Sequence, residues 1–399
     1  MSGVAGWKKQ LINENLCRKR IEGCISSPAI QSNYFFISGE VTCPENRSGH
    51  RIGVTNSALY SVGGFNPNYW NVPNDDYTIY PLFRELWKFN MSTREWNREV
   101  TTGDMPVELA SHAALLVGNR LLVYGGTGTP FGYASSNRLH VCNLSTLEWR
   151  QVACCGDVPD ELYGHSLSLA GDVIFMFGGT TGYEYSNDLH CLSLDTFTWQ
   201  KFDVKEQKVP EGRYRHEAIH DKLTDRLYVM GGGRANISYG FEELDAFDIN
   251  SQKWLKIQSQ SRHVRYPVPG YPEARRCHSC VKFKGNAYIC GGYNGEKIFS
   301  DLWALDLETL YWCKITDMPK PVYFHAADVS PSGCLYIFGG VNQIDLVRNA
   351  NVYKIWLQPP SLQEACWINL CNLIKDIERL PRPMLIQMGV PLALLDRLT

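Results

Sequence analysis

The chain has 399 residues, of which 44% are hydrophobic and 20% charged, and its formal net charge is −2. This composition suits one large globular domain with an appendage. The near-neutral balance excludes a global field that gathers nucleic acid, so only local patches can attract charged ligands, and no apolar run reaches the ~18 residues of a membrane helix. Residues 1–30 are polar and aperiodic, which predicts a mobile arm, and they lack the apolar stretch of a secretory leader. Without such a leader, the fourteen cysteines read as free thiols. Cys142, Cys191, Cys290, Cys313 and Cys334 fall in strand-like runs, where a thiol packs as a small hydrophobe. A reducing compartment, cytoplasm or nucleus, is the expectation.

From Asn33 to Gly39 the pattern is a single strand. A repeat then takes over. A glycine pair ends an apolar run at 63–64, 125–126, 178–179, 231–232, 291–292 and 339–340. A histidine precedes each pair: His50, His112, His165 and His278 by 13 residues, His216 by 15 and His325 by 14. Trp96, Trp149, Trp199, Trp254 and Trp312 close most units, and Tyr34 occupies their phase. Self-similarity at roughly 50 residues resembles kelch repeats, each a four-stranded blade of a β-propeller. The sixth unit has no closing strand after Val352–Trp356, so the expectation is an all-β, six-bladed propeller over 31–357, zipped shut by strand 33–39. The glycine pairs and tryptophans are expected to serve blade packing. The histidines, all at one phase, are expected to bond loop backbone rather than gather in one site.

Strands alternate in direction, so the loop after each glycine pair shares a face with the segment leading into each histidine. This face collects Arg47, Arg51, Tyr163, Arg213, Tyr214, Arg215, Arg234, Tyr239, Arg275, Arg276, Tyr323 and Phe324, and the loop 65–83 adds Tyr69, Trp70, Asp75, Asp76 and Tyr77. An arginine-rich, aromatic-lined concavity suits an anionic group on an extended ligand, such as a carboxylate or phosphate. Arg213 and Arg275, being in repeat phase, can equally tie loops together internally. Cys277-x-x-Cys280 has no second pair to complete a zinc site, and no catalytic or phosphate-cradling motif is present. A non-catalytic protein without cofactor or metal is expected.

After Pro359-Pro360 the text becomes helical, defining a tail over 358–399. Ser361 is placed as an N-cap with Glu364 completing a capping box, and Leu362, Cys366 and Leu370 follow at i, i+4 and i+8. Leu380-Pro381 ends that helix, and Met384, Leu385, Met388, Leu392, Leu394, Leu395 and Leu398 give further apolar segments. Some forty residues are few for an independent core, so the tail is expected to cover itself with a partner.

Ser361-Leu362-x-x-x-Cys366-x-x-x-Leu370 resembles an elongin-binding box. Leu380-Pro381-x-x-Met384-x-x-x-Met388 resembles the cullin-2 box that follows it, and Leu-Pro-x-Pro also echoes the cullin-5 version. Together with phrases such as Tyr80 to Trp87, Glu211 to Glu217, Ala274 to Cys280 and Pro321 to His325, they make residues 35–399 similar to kelch-repeat substrate receptors of cullin-2 RING ubiquitin ligases. The resemblance implies elongins B and C and cullin-2 as partners. It further implies capture of substrate C-termini ending in a small residue such as Gly or Ala. In such receptors, arginines in the loop after the fourth glycine pair and a small polar residue leading into the next blade hold the carboxylate. Arg234 matches the first position, Arg276 replaces the small polar residue, and no second arginine follows in the loop, leaving Arg213, Arg215 or Arg276 as substitutes. Tyr163, Tyr214, Tyr239, Tyr323 and Phe324 would hold the preceding residues. The alternatives are a kelch scaffold binding an internal motif of a partner such as actin or a phosphatase, and a copper oxidase built on a propeller.

Overall fold

The computed structural model describes residues 43–68, 82–130, 132–204, 208–261, 270–343, 347–374 and 376–398. Six sheets follow one another along the chain, each with its innermost strand just after a repeat histidine; the main strands pair antiparallel, and in three sheets a two-residue edge strand (Thr102–Gly103, Cys155–Gly156 or Gln260–Ser261) adds in parallel. The innermost strands are Arg51–Val54, Ala113–Val117, Ser166–Ala170, Glu217–Asp221, Ser279–Phe283 and Ala326–Val329, and each packs beside the next around an axis. The sixth sheet contributes Ala326–Val329, Cys334–Phe338 and Val352–Trp356. The expected closing strand at 33–39, Tyr34 within it, the arm 1–30 and the loop residues Tyr69 to Tyr77 lie outside the described residues.

The second strands, such as Val173–Phe177 (VIFMF) and Cys334–Phe338 (CLYIF), are buried almost throughout. They read as apolar runs without alternation because neighbouring blades cover both sheet faces. The closing tryptophans seal the blade boundaries: Trp199 meets Tyr124 at 5.0 Å between ring centroids, Trp254 meets Phe177 at 5.1 Å, and Trp96 meets Phe338 at 4.9 Å. The last of these joins blade 1 to blade 6.

The glycine pairs have a specific reason. At the fourth pair, a Cβ on Gly231 (φ +57°) would stand 2.8 Å from the ring of the next blade's His278, and one on Gly232 (φ +84°) would stand 2.5 Å from the Cβ of its own His216. Each pair thus threads between two histidines, and only glycine fits. The second glycine also donates its N–H to the next blade, as Gly232 does to Arg275 O (2.9 Å) and Gly340 to Arg47 O (2.8 Å). The Gly340 bond closes the ring. All six histidines are buried; His216 bonds Phe177 O and His50 bonds Phe338 O, both at 3.1 Å across a blade boundary. Burial pushes His112, His165, His278 and His325 down to about 3.

Candidate functional site

The residues immediately before the histidines form a second ring. Gly49, Ser111, Gly164, Arg215, Cys277 and Phe324 all have left-handed backbones, with φ between 54° and 68°. Their N–H and C=O groups join head to tail: Ser111 to Gly49, Gly164 to Ser111, Arg215 to Gly164, Cys277 to Arg215, Phe324 to Cys277 and Gly49 to Phe324, at 2.7 to 3.0 Å. This collar frames the mouth of the axis. One residue earlier, Ser48, Ala110, Tyr163, Tyr214, Arg276 and Tyr323 each bridge to the loop after their glycine pair. Side chains there are small on blades 1 and 2 and large on blades 3 to 6.

The large half carries an arc of rings and guanidinium groups. Tyr185 and Tyr214 pack at 5.4 Å, and Arg276 lies over Tyr293 at 5.7 Å. Tyr293 stacks on Tyr323 at 5.2 Å, Tyr323 meets Phe324 at 5.1 Å, and Arg215 lies 4.6 Å over Phe324. Arg215 starts on blade 4 and donates across the mouth to Ser111 Oγ of blade 2. Burial lowers its pKa, a sign of lost hydration around a charge. Arg276 Nη1 reaches back into the loop of blade 4, to Arg234 O (3.1 Å), Ile237 O (3.3 Å) and Ser238 Oγ (3.3 Å). Among the described residues, no carboxylate is ion-paired to Arg215 or Arg276.

The arginines in repeat phase behave differently. Arg47, Arg213 and Arg275 each donate Nε to the carbonyl two residues back (Glu45, Glu211, Glu273) and Nη1 to the first glycine of their pair. Their remaining charge goes to Glu85, Asp245 and Asp301 at the third strand, and each lies over a ring, of Phe83, Tyr239 and Phe299. They are staples inside blades 1, 4 and 5. Arg47 is therefore corrected from surface to interior, while Arg213 and Arg275 take the internal-tie role that their repeat phase allowed, with Arg213 lying at the base of the site. Arg51 is corrected too: it crosses the axis to Glu217 (2.8 Å) and caps a channel of about 470 Å3 that lies below the collar. The staple acids at 85, 245 and 301 were the available signal, since blades 2, 3 and 6 place Leu109, Leu162 and Val322 at the arginine phase.

Arg234 sits on the rim. Its Nε donates to Gly212 O (2.9 Å), and its Nη2 meets Glu211 Oε2 at 3.3 Å. Tyr239 donates its hydroxyl to that same oxygen (2.7 Å). Tyr163 places its hydroxyl near Gly132 and Gly182, the loop tips of blades 2 and 3. Those tips carry Tyr133 and Tyr183, 75% and 72% exposed with ring centroids 6.0 Å apart. This exposed pair was missed from the sequence, although both residues sit in loops that follow glycine pairs.

The tail holds the second set of expected residues. Ser361 caps Leu362–Leu373, accepting from Glu364 N at 3.2 Å. The capping box is half formed, because the Glu364 carboxylate pairs with Arg397 (2.7 Å) instead. The expectation that forty residues cannot bury themselves is corrected. Trp367, Ile377, Leu385, Leu394 and Leu395 make a small core, against which Leu370 and Leu380 pack. The tail also docks on the propeller, through Trp367 Nε1 to Ser92 Oγ (3.1 Å) and a bond from Arg94 to Asn372. These contacts lie at the strand turns opposite the arginine face. Leu362 and Cys366 point to solvent, with Leu362 82% exposed. Pro381 and Met384 lie on or beside the short helix Arg382–Gln387 and are exposed, as is Met388.

Comparison with known proteins decides the family. The model of the KLHDC2/KLHL20/DRC7 Kelch-repeats domain matches residues 49–269 and 205–358. The chain belongs to the kelch-repeat family. It is 42% identical to Kelch domain-containing protein 10 of Mus musculus over 395 residues, 98% of this chain and 88% of that protein. The Homo sapiens protein of the same name gives 42% over 98% of this chain and 87% of its own length. Kelch domain-containing protein 10 homolog of Drosophila melanogaster is 35% identical over 89% of this chain and 62% of its own. As a kelch propeller, the chain offers a loop face for binding, and no enzyme family is indicated. Among the described residues no three His, Cys, Asp or Glu side chains converge on a metal-sized site, and no helix is long and apolar enough to cross a membrane.

Proposed function

We propose that this kelch protein is the substrate-recognition subunit of a cullin-2–elongin BC ubiquitin ligase, acting in the cytoplasm and nucleus. In this reading the tail engages elongin C, with elongin B, through Ser361, Leu362, Cys366 and Leu370. It engages cullin-2, rather than cullin-5, through Leu380, Pro381, Met384 and Met388. The observation that carries the reading is the division of labour inside the tail. Its core is made by Trp367, Ile377, Leu385, Leu394 and Leu395, while Leu362, Cys366, Met384 and Met388 stay exposed. Apolar side chains left outside a formed core are available for a partner.

The opposite face captures the substrate's C-terminal carboxylate after a small residue. Arg215 and Arg276 supply positive charge with no described carboxylate in ion-pair contact, and a guanidinium stripped of water gains most from an anion. Arg234 extends the charge to the rim, and Tyr214, Tyr239, Tyr163, Tyr323 and Phe324 offer flat rings for the preceding residues.

Co-expression with elongins B and C tests the tail. The chain is expected to co-elute with both, and the double variant Leu362→Asp/Cys366→Asp to elute alone while remaining folded. A wild-type chain that elutes without elongins at every concentration contradicts the reading and favours a scaffold.

A further inference from the structure

The rim of the arginine face already holds a carboxylate of its own. Glu211 Oε2 receives the Tyr239 hydroxyl at 2.7 Å and lies 3.3 Å from Arg234 Nη2. Arg234 is fixed from behind by its bond to Gly212 O, and Tyr239 is fixed by Arg213, whose guanidinium lies 4.0 Å over the ring. Arg213 is in turn held by Asp245 at 2.7 Å. The donors around Glu211 are thus set by buried structure, whereas Glu211 itself, its side chain 63% exposed, is not. Arg234 already belongs to the carboxylate site of the proposed function; we propose that Glu211 fills the place between Arg234 and Tyr239 in the free protein as a stand-in that the ligand's carboxylate displaces. The inference rests on carboxylate capture by this face and adds a residue that sets its affinity.

Repeat geometry explains why Glu211 can serve. It stands two residues before the staple Arg213, as Glu45 and Glu273 stand before Arg47 and Arg275, and its carbonyl is held by Arg213 Nε at 3.1 Å. The backbone is pinned while the side chain is free to leave. Glu273 at the same phase pairs with Lys297 at 2.8 Å, so loop-directed pairing belongs to the position. What differs on blade 4 is the partner. An arginine and a phenol hydroxyl together present a planar charge and a neutral donor, which suit two carboxylate oxygens better than an ammonium does. An exposed pair of this kind is weak, so its displacement is easy and the expected effect on affinity is modest.

The test is titration of a labelled peptide ending in free glycine against the full chain and Glu211→Gln, with the amidated peptide as control. Glutamine keeps the shape and removes the charge. Glu211→Gln is expected to bind the free-carboxylate peptide ~3- to 5-fold more tightly, which about 1 kcal/mol allows, and to leave the amidated peptide unchanged. Equal or weaker binding by Glu211→Gln, with clear wild-type binding, overturns the stand-in and leaves carboxylate capture intact. Absence of binding to both proteins overturns both. A second readout follows the Glu211 carboxyl by NMR. The Tyr239 hydroxyl first, and Arg234 second, hold it below its ordinary range in the free protein. Saturation with peptide should return it towards that range, and an unmoved Glu211 contradicts displacement.

Discussion

The propeller and the tail solve the same problem at different scales. The propeller buries its apolar residues by repetition: each blade is covered by two neighbours, and every special position, whether glycine pair, histidine or collar residue, recurs around the ring. The tail has one copy of everything. It buries five large side chains and leaves others, Leu362 and Met388 among them, in solvent. Among the described residues of the propeller, exposed large apolar side chains lie mostly in loops and turns, as with Tyr133, Tyr183 and Leu223, whereas in the tail they lie on the helices themselves. Where repetition ends, unsatisfied surface begins, and that surface is where a partner is expected.

Acid should separate the two regions most strongly. The propeller's buried histidines are neutral, with His112, His165, His278 and His325 at about 3 against an ordinary 6.5. The unfolded chain takes up protons below 6.5 and the folded chain does not, so stability falls as pH drops from 6.5 towards 3. The loss is about 1.4 kcal/mol per pH unit for each histidine. Asp328, raised to about 6 by burial, acts in the opposite sense between its ordinary value near 4 and 6, as one group against four. Residues 358–399 contain no histidine. Denaturant melts at pH 7 and pH 5 should show the propeller transition moving, and an unchanged midpoint contradicts the neutral-histidine ring.

A matched pair of glycine substitutions sharpens the contrast. Gly232 and Gly389 share left-handed backbones, φ +84° and +85°. A Cβ at 232 meets His216 backbone atoms at 2.9 Å, whereas one at 389 meets nothing within 4 Å. Gly232→Ala should cost about 3 kcal/mol or more, strain and clash together. Gly389→Ala should cost only about 1 kcal/mol, felt within the tail. Equal costs by thermal unfolding would mean that the pairs serve turn geometry alone.

The smallest effect on stability belongs to the residue with the largest expected effect on assembly. Leu362→Glu should shift stability by no more than about 0.5 kcal/mol, because the side chain is solvated, yet abolish co-elution with elongins. Destabilisation of several kcal/mol would show that Leu362 packs on its own protein.

Legibility from sequence followed the same divide. Periodicity revealed the blades, because six copies average out local ambiguity and the glycine–histidine interlock enforces constant spacing. Phase marked Arg213 and Arg275 as able to tie loops internally but did not decide between that and the surface, and it gave no such sign for Arg47. Phase places a side chain on the ring, whereas its partner depends on an acid far along the chain. Arg51 was misplaced for that reason, its partner Glu217 lying 166 residues away. In the tail, Leu362 and Cys366 lie exposed while Leu370, third in the same spacing, packs against the core, so spacing alone does not tell a free side chain from a packed one. Composition gave no hint that Trp367, Ile377 and Leu385 would form a core, since three short elements meet only in the fold.

The central claim is that the arginine face reads a terminal carboxylate. Its most direct test compares a labelled peptide ending in free Gly with the same peptide amidated, titrated against the full chain co-purified with elongins B and C. Saturable binding of the free acid that vanishes on amidation, and weakens at least ~10-fold in Arg215→Met and Arg276→Met, is the predicted result; loss of about 1.4 kcal/mol per arginine is within the range of a charge-assisted bond. Equal binding of both peptides, or of neither, would contradict it.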